Sequence, residues 1–235
     1  MNGKRRIIIG ASPERSWNMN AASATMTHTT MDLPVSKRFF PGLLPIIGDE
    51  AYERVIARYG ELYSNQELPA NPQLRWHLVE GILPGLALYQ VLRESGESQD
   101  NALGRIDRAF DQLFSGDVKQ MKRIGRLPFA LLFFRVFLKA FMRKYPPEGW
   151  TIKWQQNSRD GIRFDMTTCF YHATLSNLGA PELTAAFCRV DDLIYSTMSR
   201  YVSWQRTTTI ASGNAYCDFC FASTNGSTTR RRVRR

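Results

Sequence analysis

The chain has 235 residues, and 31 lysines and arginines against 21 acidic residues give it a net charge of +10. Hydrophobic residues make up 43% of the chain, which is enough for a sizeable core and excludes a wholly disordered protein. Residues 1–30 carry +3 and the last six residues carry +5, so the remainder is nearly neutral. The excess charge therefore lies at the two ends, and the domain itself is not expected to bind nucleic acid.

Both ends of the chain lack the pattern of a folded segment. Residues 1–40 predict a mostly disordered leader and residues 224–235 a disordered basic tail. The leader's apolar run is too short for a secretory signal, whereas its serines and arginines leave a mitochondrial presequence open. Four cysteines are too few for a disulfide scaffold, so we expect a cytoplasmic protein with reduced thiols. The apolar stretch 127–142 contains Arg135 and Lys139 and is too short to span a bilayer.

The first half of the domain, residues 48–145, has apolar residues at the spacing of amphipathic helices. Pro84 is expected to kink the second helix, Ser98 to cap the third, and Gly116 to end the third. The predicted helices cover 48–64, 73–94, 99–115 and 127–144.

The last of these helices is the most apolar. Arg135, Lys139 and Arg143 recur every four residues and give it one basic stripe on a body of phenylalanine and leucine. We expect a core helix with one solvated face. The alternative is an amphipathic helix that lies on a membrane surface.

After Pro146 the apolar period changes from 3.6 to 2, which indicates strands. Residues 150–166 predict a hairpin. A helix that begins near Thr168 and another that begins at Pro181 separate this hairpin from two further strands. Those strands cover 201–210 and 216–222.

The expected fold is therefore α+β, with the second half in the order β-β-α-α-β-β. A helical part over 48–145 comes first. A small antiparallel sheet within 150–223, with helices packed on one face, follows it. Together they form a single domain over 41–223.

Cys169 lies in the first turn of the predicted helix that follows the hairpin. Backbone N–H groups are unpaired there and the helix dipole favours a thiolate, so Cys169 is a candidate nucleophile. His172 lies three residues further on the same helix face and is a candidate to accept its proton. The alternative is a small buried thiol beside a partly exposed histidine.

A second group of reactive side chains lies along the helix that begins at Pro181. Cys188, Asp191 and Tyr195 place a thiol, an acid and a phenol on one side of it. A carboxylate at the edge of a core is costly unless it is paired or functional. Arg206 on the following strand is a candidate partner, and so is a bound ligand. The alternative is one solvated acid and one paired acid.

Several common site motifs are excluded. Cys217 and Cys220 form a C-x-x-C, but on a strand they point to opposite faces, which argues against a zinc or redox motif. The chain contains no P-loop, G-x-G-x-x-G, H-E-x-x-H or G-x-S-x-G. Nucleotide-dependent chemistry and serine hydrolysis therefore have no support.

Short motifs follow one another in a fixed order over residues 74–221. They are Ile82-Leu83-Pro84-Gly85, Phe164 to Cys169, Leu178-Gly179-Ala180-Pro181-Glu182-Leu183, Phe187-Cys188-Arg189-Val190-Asp191, Arg206-Thr207 and Cys217-Asp218-Phe219. In this order they resemble the L-2-amino-thiazoline-4-carboxylic acid hydrolase family. The resemblance implies a hydrolase of carbon–nitrogen bonds other than peptide bonds, which opens a 2-amino-thiazoline ring with water and yields a carbamoyl-cysteine.

Such a reaction needs a nucleophile, a proton donor and an anchor for the substrate's carboxylate. Cys169 is the candidate nucleophile, and Asp191 is the candidate acid/base, with Asp218 and His172 as further catalytic candidates. Arg206 is expected to bind the carboxylate in a bidentate contact. The remaining substrate-binding candidates are Thr207, Thr208 and Tyr195.

Cys188 and Cys217 are expected to line the site. Together with Cys169 and Asp191 they could instead hold a divalent metal, although we expect no cofactor. Three other functions stay open. They are a related condensation or cyclisation in secondary metabolism, a non-catalytic small-molecule-binding module, and nucleic-acid or membrane-surface binding through the arginine tail and the basic stripe.

Overall fold

Helices precede a small sheet, so the expected α+β class is confirmed. The computed structural model describes residues 39–224, apart from the side chain of Lys139. The expected basic tail and nearly all of the expected leader lie outside the described residues. The helices are α1 (Phe39–Ile47), α2 (Asp49–Ser64), α3 (Pro72–His77), α4 (Leu83–Glu94), α5 (Gln99–Leu113), α6 (Ser115–Gly125), α7 (Ala130–Met142), α8 (Phe170–Asn177) and α9 (Thr184–Tyr195). The strands are β1 (Ile152–Asn157), β2 (Gly161–Met166), β3 (Val202–Gln205) and β4 (Cys217–Ser223).

Helix α1 begins within the stretch that the sequence predicts to be mostly disordered. Its two prolines and one glycine disfavour a helix. Phe39, Phe40 and Leu43 are nonetheless buried in the helical core. A Cβ on Gly42 would lie 2.3 Å from a methyl carbon of Leu113 on α5, so the glycine permits close packing of the two helices. Burial of the aromatic side chains outweighs the local preference here.

The expected stop at Gly116 is wrong. The chain turns at Phe114, and α6 continues to Gly125. The cap at the other end of α5 is confirmed, because the Ser98 hydroxyl accepts the N–H of Asn101 at 3.3 Å.

The second predicted helix is continuous from α3 to α4, but a π-helical segment, Leu78–Ile82, interrupts the α-helical pattern. In this segment the N–H of Leu83 donates to the carbonyl of Leu78. Pro84, which has no N–H to donate, follows directly. The kink expected at Pro84 stays a prediction, and the feature that directly precedes the proline is a π turn, which often lies near functional sites.

Helix α7 is not the core helix that its composition predicts. It buries Ala130, Leu131 and Leu138 against the sheet cluster. Val136 is 64% exposed and Phe137 is 52% exposed. The apolar surface of this helix is wider than the surface that the domain covers.

The sheet is antiparallel and has the order β1-β2-β4-β3. The expected hairpin is β1–β2. Strand β2 also pairs with β4, and this register places Phe164 opposite Phe219, whose rings stack with their centroids 4.8 Å apart. The buried face carries Ile162, Phe164 and Met166 from β2 and alternate residues of β4. Cys217 pairs with Met166 on this face, whereas Cys220 pairs with exposed Arg163, so the two thiols lie on opposite faces as expected.

Strand β3 is shorter than the predicted 201–210. It ends at Gln205, and from Arg206 the chain leaves the sheet. The reason is a contact with the next strand, because the N–H and hydroxyl groups of Thr207 and Thr208 donate to the side-chain carboxylate of Asp218 on β4.

Candidate active site

A cavity of about 480 Å³ lies between the helices and the buried face of the sheet. Most of its wall is aromatic or aliphatic. Five of the predicted site residues lie in this wall even though they come from four different segments. They are Cys169 at the start of α8, Cys188 and Asp191 on α9, Arg206 after β3, and Cys217 on β4. Tyr195, a sixth, lines the cavity from the end of α9.

Asp191 and Arg206 form an ion pair, as the sequence suggests. Nη1 of Arg206 donates to Oδ2 of Asp191 at 3.2 Å, and Nη2 donates to Asp192 and to the carbonyl of Cys188 at 2.7 Å. The guanidinium is only 3% exposed, and its central carbon lies 5.8 Å from the Trp204 ring centre. These contacts fix the guanidinium, so a bidentate contact with a substrate carboxylate would require Arg206 to release at least one protein acceptor.

The carboxyl group of Asp191 has an unusual environment. Its side chain is 36% accessible, but because it lines the cavity, this exposure is into the apolar cavity. Burial raises the pKa of Asp191 to about 6, Arg206 lowers it, and the neighbouring charge of Asp192 raises it. A carboxyl group that titrates near neutral pH suits a general acid or base.

Cys169 is the N-cap residue of α8, close to its predicted position in the first turn. Burial raises the pKa of the Cys169 thiol, and the nearby backbone N–H groups of His172 and Tyr171 lower it in part without forming a capping hydrogen bond to the side chain. Desolvation is the larger effect. In the free site the group is a thiol, and a base must take its proton before it can attack an electrophile.

The other two thiols of the cavity are also protonated. Burial raises the pKa of Cys188 to about 12, although Arg206 lowers it, and burial likewise raises the pKa of Cys217. The Sγ atom of Cys217 accepts the N–H of Ile210 at 3.2 Å. Within residues 39–224, no group of three or more histidine, cysteine or acidic side chains has the arrangement of a metal site.

A buried hydrogen-bonded pair, His77 and Tyr171, adds polar groups that the chemical reasoning did not select. His77 is 3% exposed, and its Nε2 lies 2.8 Å from the carbonyl of Lys144. A carbonyl only accepts, so Nε2 carries the proton. Nδ1 then accepts the hydroxyl of Tyr171 at 3.1 Å. Burial lowers the pKa of His77 and raises that of Tyr171, so both groups are neutral.

Tyr171 is held at this position by the π segment. A Cβ on Gly81 would lie 2.9 Å from the Tyr171 hydroxyl oxygen, so only glycine leaves room for it. Tyr145 also lines the cavity, and burial raises its pKa, as it does for Tyr195. The sequence signals for the pair were the polar His77 within an apolar helix and the short π-prone stretch before Pro84.

Four of the predicted site residues lie off the cavity wall. His172 faces Thr184, whose hydroxyl is 3.5 Å from its Nδ1. Asp218 accepts hydrogen bonds from the N–H and hydroxyl groups of Thr207 and Thr208 at 2.6 to 3.0 Å. Burial raises the pKa of Asp218, but these bonds outweigh burial and hold it below its usual range. The structure thus places Asp218 and the two threonines together as a turn-forming cluster.

One known family matches most of the sequence that forms this domain. The sequence model of the L-2-amino-thiazoline-4-carboxylic acid hydrolase family matches residues 77–221, more than half of the chain. The chain belongs to this family. The family resemblance inferred from the motifs is therefore confirmed.

Comparisons with individual proteins add little. No curated protein matches the chain in sequence. Among solved structures, the Fe(II) unliganded H-NOX protein from K. algicida aligns at 14% identity over 80% of this chain and 93% of that chain, with a TM-score of 0.29. A TM-score of that size does not establish a shared fold.

Proposed function

We propose that the protein hydrolyses a cyclic amidine of the 2-amino-thiazoline type in this cavity. The observation that carries the proposal is the meeting of Cys169, Asp191 and Arg206 in one wall, although 37 residues separate the first from the last. A thiol, a carboxyl group that titrates near pH 6 and a fixed cation are the groups that addition to a C=N bond requires. The membership of a family named for this hydrolysis supports it.

The first half of the proposed reaction forms a covalent intermediate. The Sγ atom of Cys169 bonds to the amidine carbon as the C=N π electrons move to nitrogen, and the thiol proton passes to the carboxylate of Asp191. A nitrogen lone pair then re-forms a C=N bond as the ring bond from that carbon to sulfur or nitrogen breaks, and Asp191 returns the proton to the leaving atom. No step uses a metal or a redox change.

The second half releases the product. Water adds across the C=N bond of the intermediate, which places OH on carbon and the other proton on nitrogen. The hydroxyl proton passes to Asp191 as the C=O bond forms and the carbon–sulfur bond to the enzyme breaks, and Asp191 returns that proton to Cys169. The net change is the addition of one water. Cleavage of the ring C–S bond yields N-carbamoyl-cysteine and cleavage of the C–N bond yields S-carbamoyl-cysteine, so product analysis identifies the bond.

Arg206 supports this reaction mainly through Asp191. Its charge keeps enough of the carboxyl group ionised to act as a base, because burial alone would raise the pKa further. Tyr195 and Tyr145, whose pKa values burial raises, stay protonated and supply O–H donors for the substrate's carboxylate.

Adjacent acids provide a matched pair of variants. Asp191→Asn should lower kcat by at least about 100-fold, the usual contribution of a general base. Asp192→Asn should lower kcat much less, since Asp192 does not line the cavity and affects Asp191 only indirectly, through its charge and its hydrogen bond to Arg206. The assay follows ring opening of 2-amino-thiazoline-4-carboxylate by chromatography and mass spectrometry. Equal activity in both variants would exclude Asp191 as the base.

The cysteines allow a second test. Cys169→Ser should abolish turnover, whereas Cys220→Ser, on the opposite face of the sheet, should not. Mass spectrometry of a quenched reaction should show a covalent adduct on Cys169. Turnover by wild type without an adduct, and full activity of Cys169→Ser, would instead favour direct attack by water activated at Asp191.

A further inference from the structure

The α7 side of the molecule exposes a continuous apolar surface. Its large side chains recur at helical spacing and lie on one side of α7 and of the turn before it. Soluble monomers rarely expose so many large apolar groups together. We call this surface the α7 face; its members are Leu127 (38% exposed), Phe129 (55%), Leu132 (56%), Phe133 (38%), Val136 (64%), Phe137 (52%) and Phe141 (38%).

The charges within the chain segment that carries the α7 face all have one sign. Residues 118–147 contain eight lysines and arginines and no acidic residue. The domain as a whole is nearly neutral, so this segment concentrates its positive charge. Exposed cations flank the face at both ends: Lys122, Arg123 and Arg126 before α7, and Arg143 and Lys144 after it.

This positive charge argues against either end of the chain, or a second copy of it, as the partner that covers the α7 face. Residues 1–38 carry +4 and residues 225–235 carry +5, so both ends would be repelled from a basic surface. A second copy would bring the same eight cations to the same place. The fitting partner is therefore both apolar and anionic.

We propose that the α7 face docks on an anionic lipid bilayer. A 13-residue helix is about 20 Å long and lies in the plane of the interface, with its apolar side among the upper acyl chains. The flanking lysines and arginines then reach the lipid phosphates, as in other basic amphipathic helices. None of the helices in residues 39–224 is long and apolar enough to cross the bilayer, so the contact is peripheral.

The cavity meets the surface beside the α7 face. Four of its lining residues are exposed, namely Trp76 (54%), Gln120, Phe141 and Lys144; Phe141 belongs to the α7 face and Lys144 flanks it. Ring contacts connect Trp76 with Phe141 through His77 and Tyr145, with centroids 4.9 to 5.6 Å apart. The opposite side of α7, with Phe134 and Leu138 among others, forms part of the cavity wall. Docking would therefore place the mouth of the cavity at the lipid surface.

Sedimentation with vesicles tests the docking without any assumption about the reaction. The full-length protein is mixed with phosphatidylcholine vesicles or with vesicles that contain 30% phosphatidylserine. We expect binding to the anionic vesicles, and weaker binding in 0.5 M NaCl. Val136→Glu with Phe137→Glu should lower the partition coefficient at least tenfold, since each side chain loses its burial in lipid. Lys122→Gln with Arg123→Gln should lower it about fivefold per cation.

Tyr216→Glu is the matched control, because Tyr216 is 40% exposed but lies before β4 and not on the α7 face. It should bind vesicles like the wild type, and circular dichroism should show that every variant is folded. All variants keep the arginine tail, so equal binding by the wild type and the Val136/Phe137 variant would assign binding to the tail and overturn the proposal. So would absence of wild-type binding. A wild-type dimer that the double variant dissociates, with no vesicle binding, would show that a second copy covers the face.

Discussion

Replacement of Arg206 gives the sharpest test of the electrostatics of the cavity. Arg206→Gln removes the cation that lowers the pKa of Asp191 and leaves the burial that raises it. The carboxyl group should therefore hold its proton to higher pH. Arg206→Lys keeps the charge and is the matched control.

The size of the effect follows from the distance. With 3.2 Å between Nη1 and Oδ2, Coulomb's law gives about 1.3 kcal/mol at the dielectric constant of water and about 5 kcal/mol at an effective constant of 20. Because the 36% exposure of Asp191 is into the cavity and not into bulk water, the smaller value is a lower bound. Since about 1.4 kcal/mol equals a factor of ten, the proton concentration at half-titration of Asp191 should fall at least about tenfold in Arg206→Gln.

The titration can be followed directly by NMR of ¹³C-labelled aspartate carboxyl groups, and the missing resonance in Asp191→Asn assigns the signal. In parallel, the acid limb of the kcat/KM profile should move to higher pH, since only the ionised carboxylate accepts a proton. In Arg206→Lys the proton concentration at half-titration of Asp191 should lie within about twofold of the wild-type value, because the charge is kept. If Arg206→Gln titrates at the wild-type pH, the ion pair does not control Asp191 and the assigned role of Arg206 is wrong.

Three further outcomes concern stability, each measured by denaturant unfolding. Gly81→Ala should lower the free energy of unfolding by about 1–3 kcal/mol, since its Cβ would lie 2.9 Å from the Tyr171 hydroxyl. Gly104→Ala, whose Cβ would lie 3.8 Å from its nearest atom, should raise the free energy of unfolding by about 0.5–1 kcal/mol. Equal effects of the two substitutions would contradict the close approach at Gly81. Asp218→Ala should lower the free energy of unfolding by about 2 kcal/mol or more at pH 7. A depressed carboxyl pKa stabilises the fold above about pH 4, and this stabilisation is lost at lower pH, so the variant should lose less stability than the wild type on acidification. The raised pKa of Asp191 has the opposite sign, so its contribution to stability should fall as the pH rises from about 4 to about 6, and an unchanged slope of stability against pH in Asp191→Asn would refute this.

Local sequence determined most of the elements. Apolar periods of 3.6 and 2 located α2, α5 and the β1–β2 hairpin, because each depends on residues close together in the chain. The cap at Ser98 and the glycine at position 179, which has φ of +74°, are also local. For the same reason, strand alternation sufficed to separate Cys217 from Cys220.

The elements that local patterns missed depend on distant contacts. Helix α1 contains two prolines and forms because its phenylalanines are buried by helices far along the chain. The end of β3 at Gln205 depends on Asp218, which belongs to the next strand. No local preference encodes either contact.

The candidate site divides in the same way. The sequence by itself identified Cys169, Asp191 and Arg206 by residue type and family motif. Only the tertiary structure decided that these three share a cavity and that Asp218 belongs to a turn, because the charge state of a buried group depends on burial and neighbours that come from other segments. It also decided that α7 turns its phenylalanines outward: composition fixes how apolar a helix is, and the packing of the whole chain fixes how much of that surface is covered.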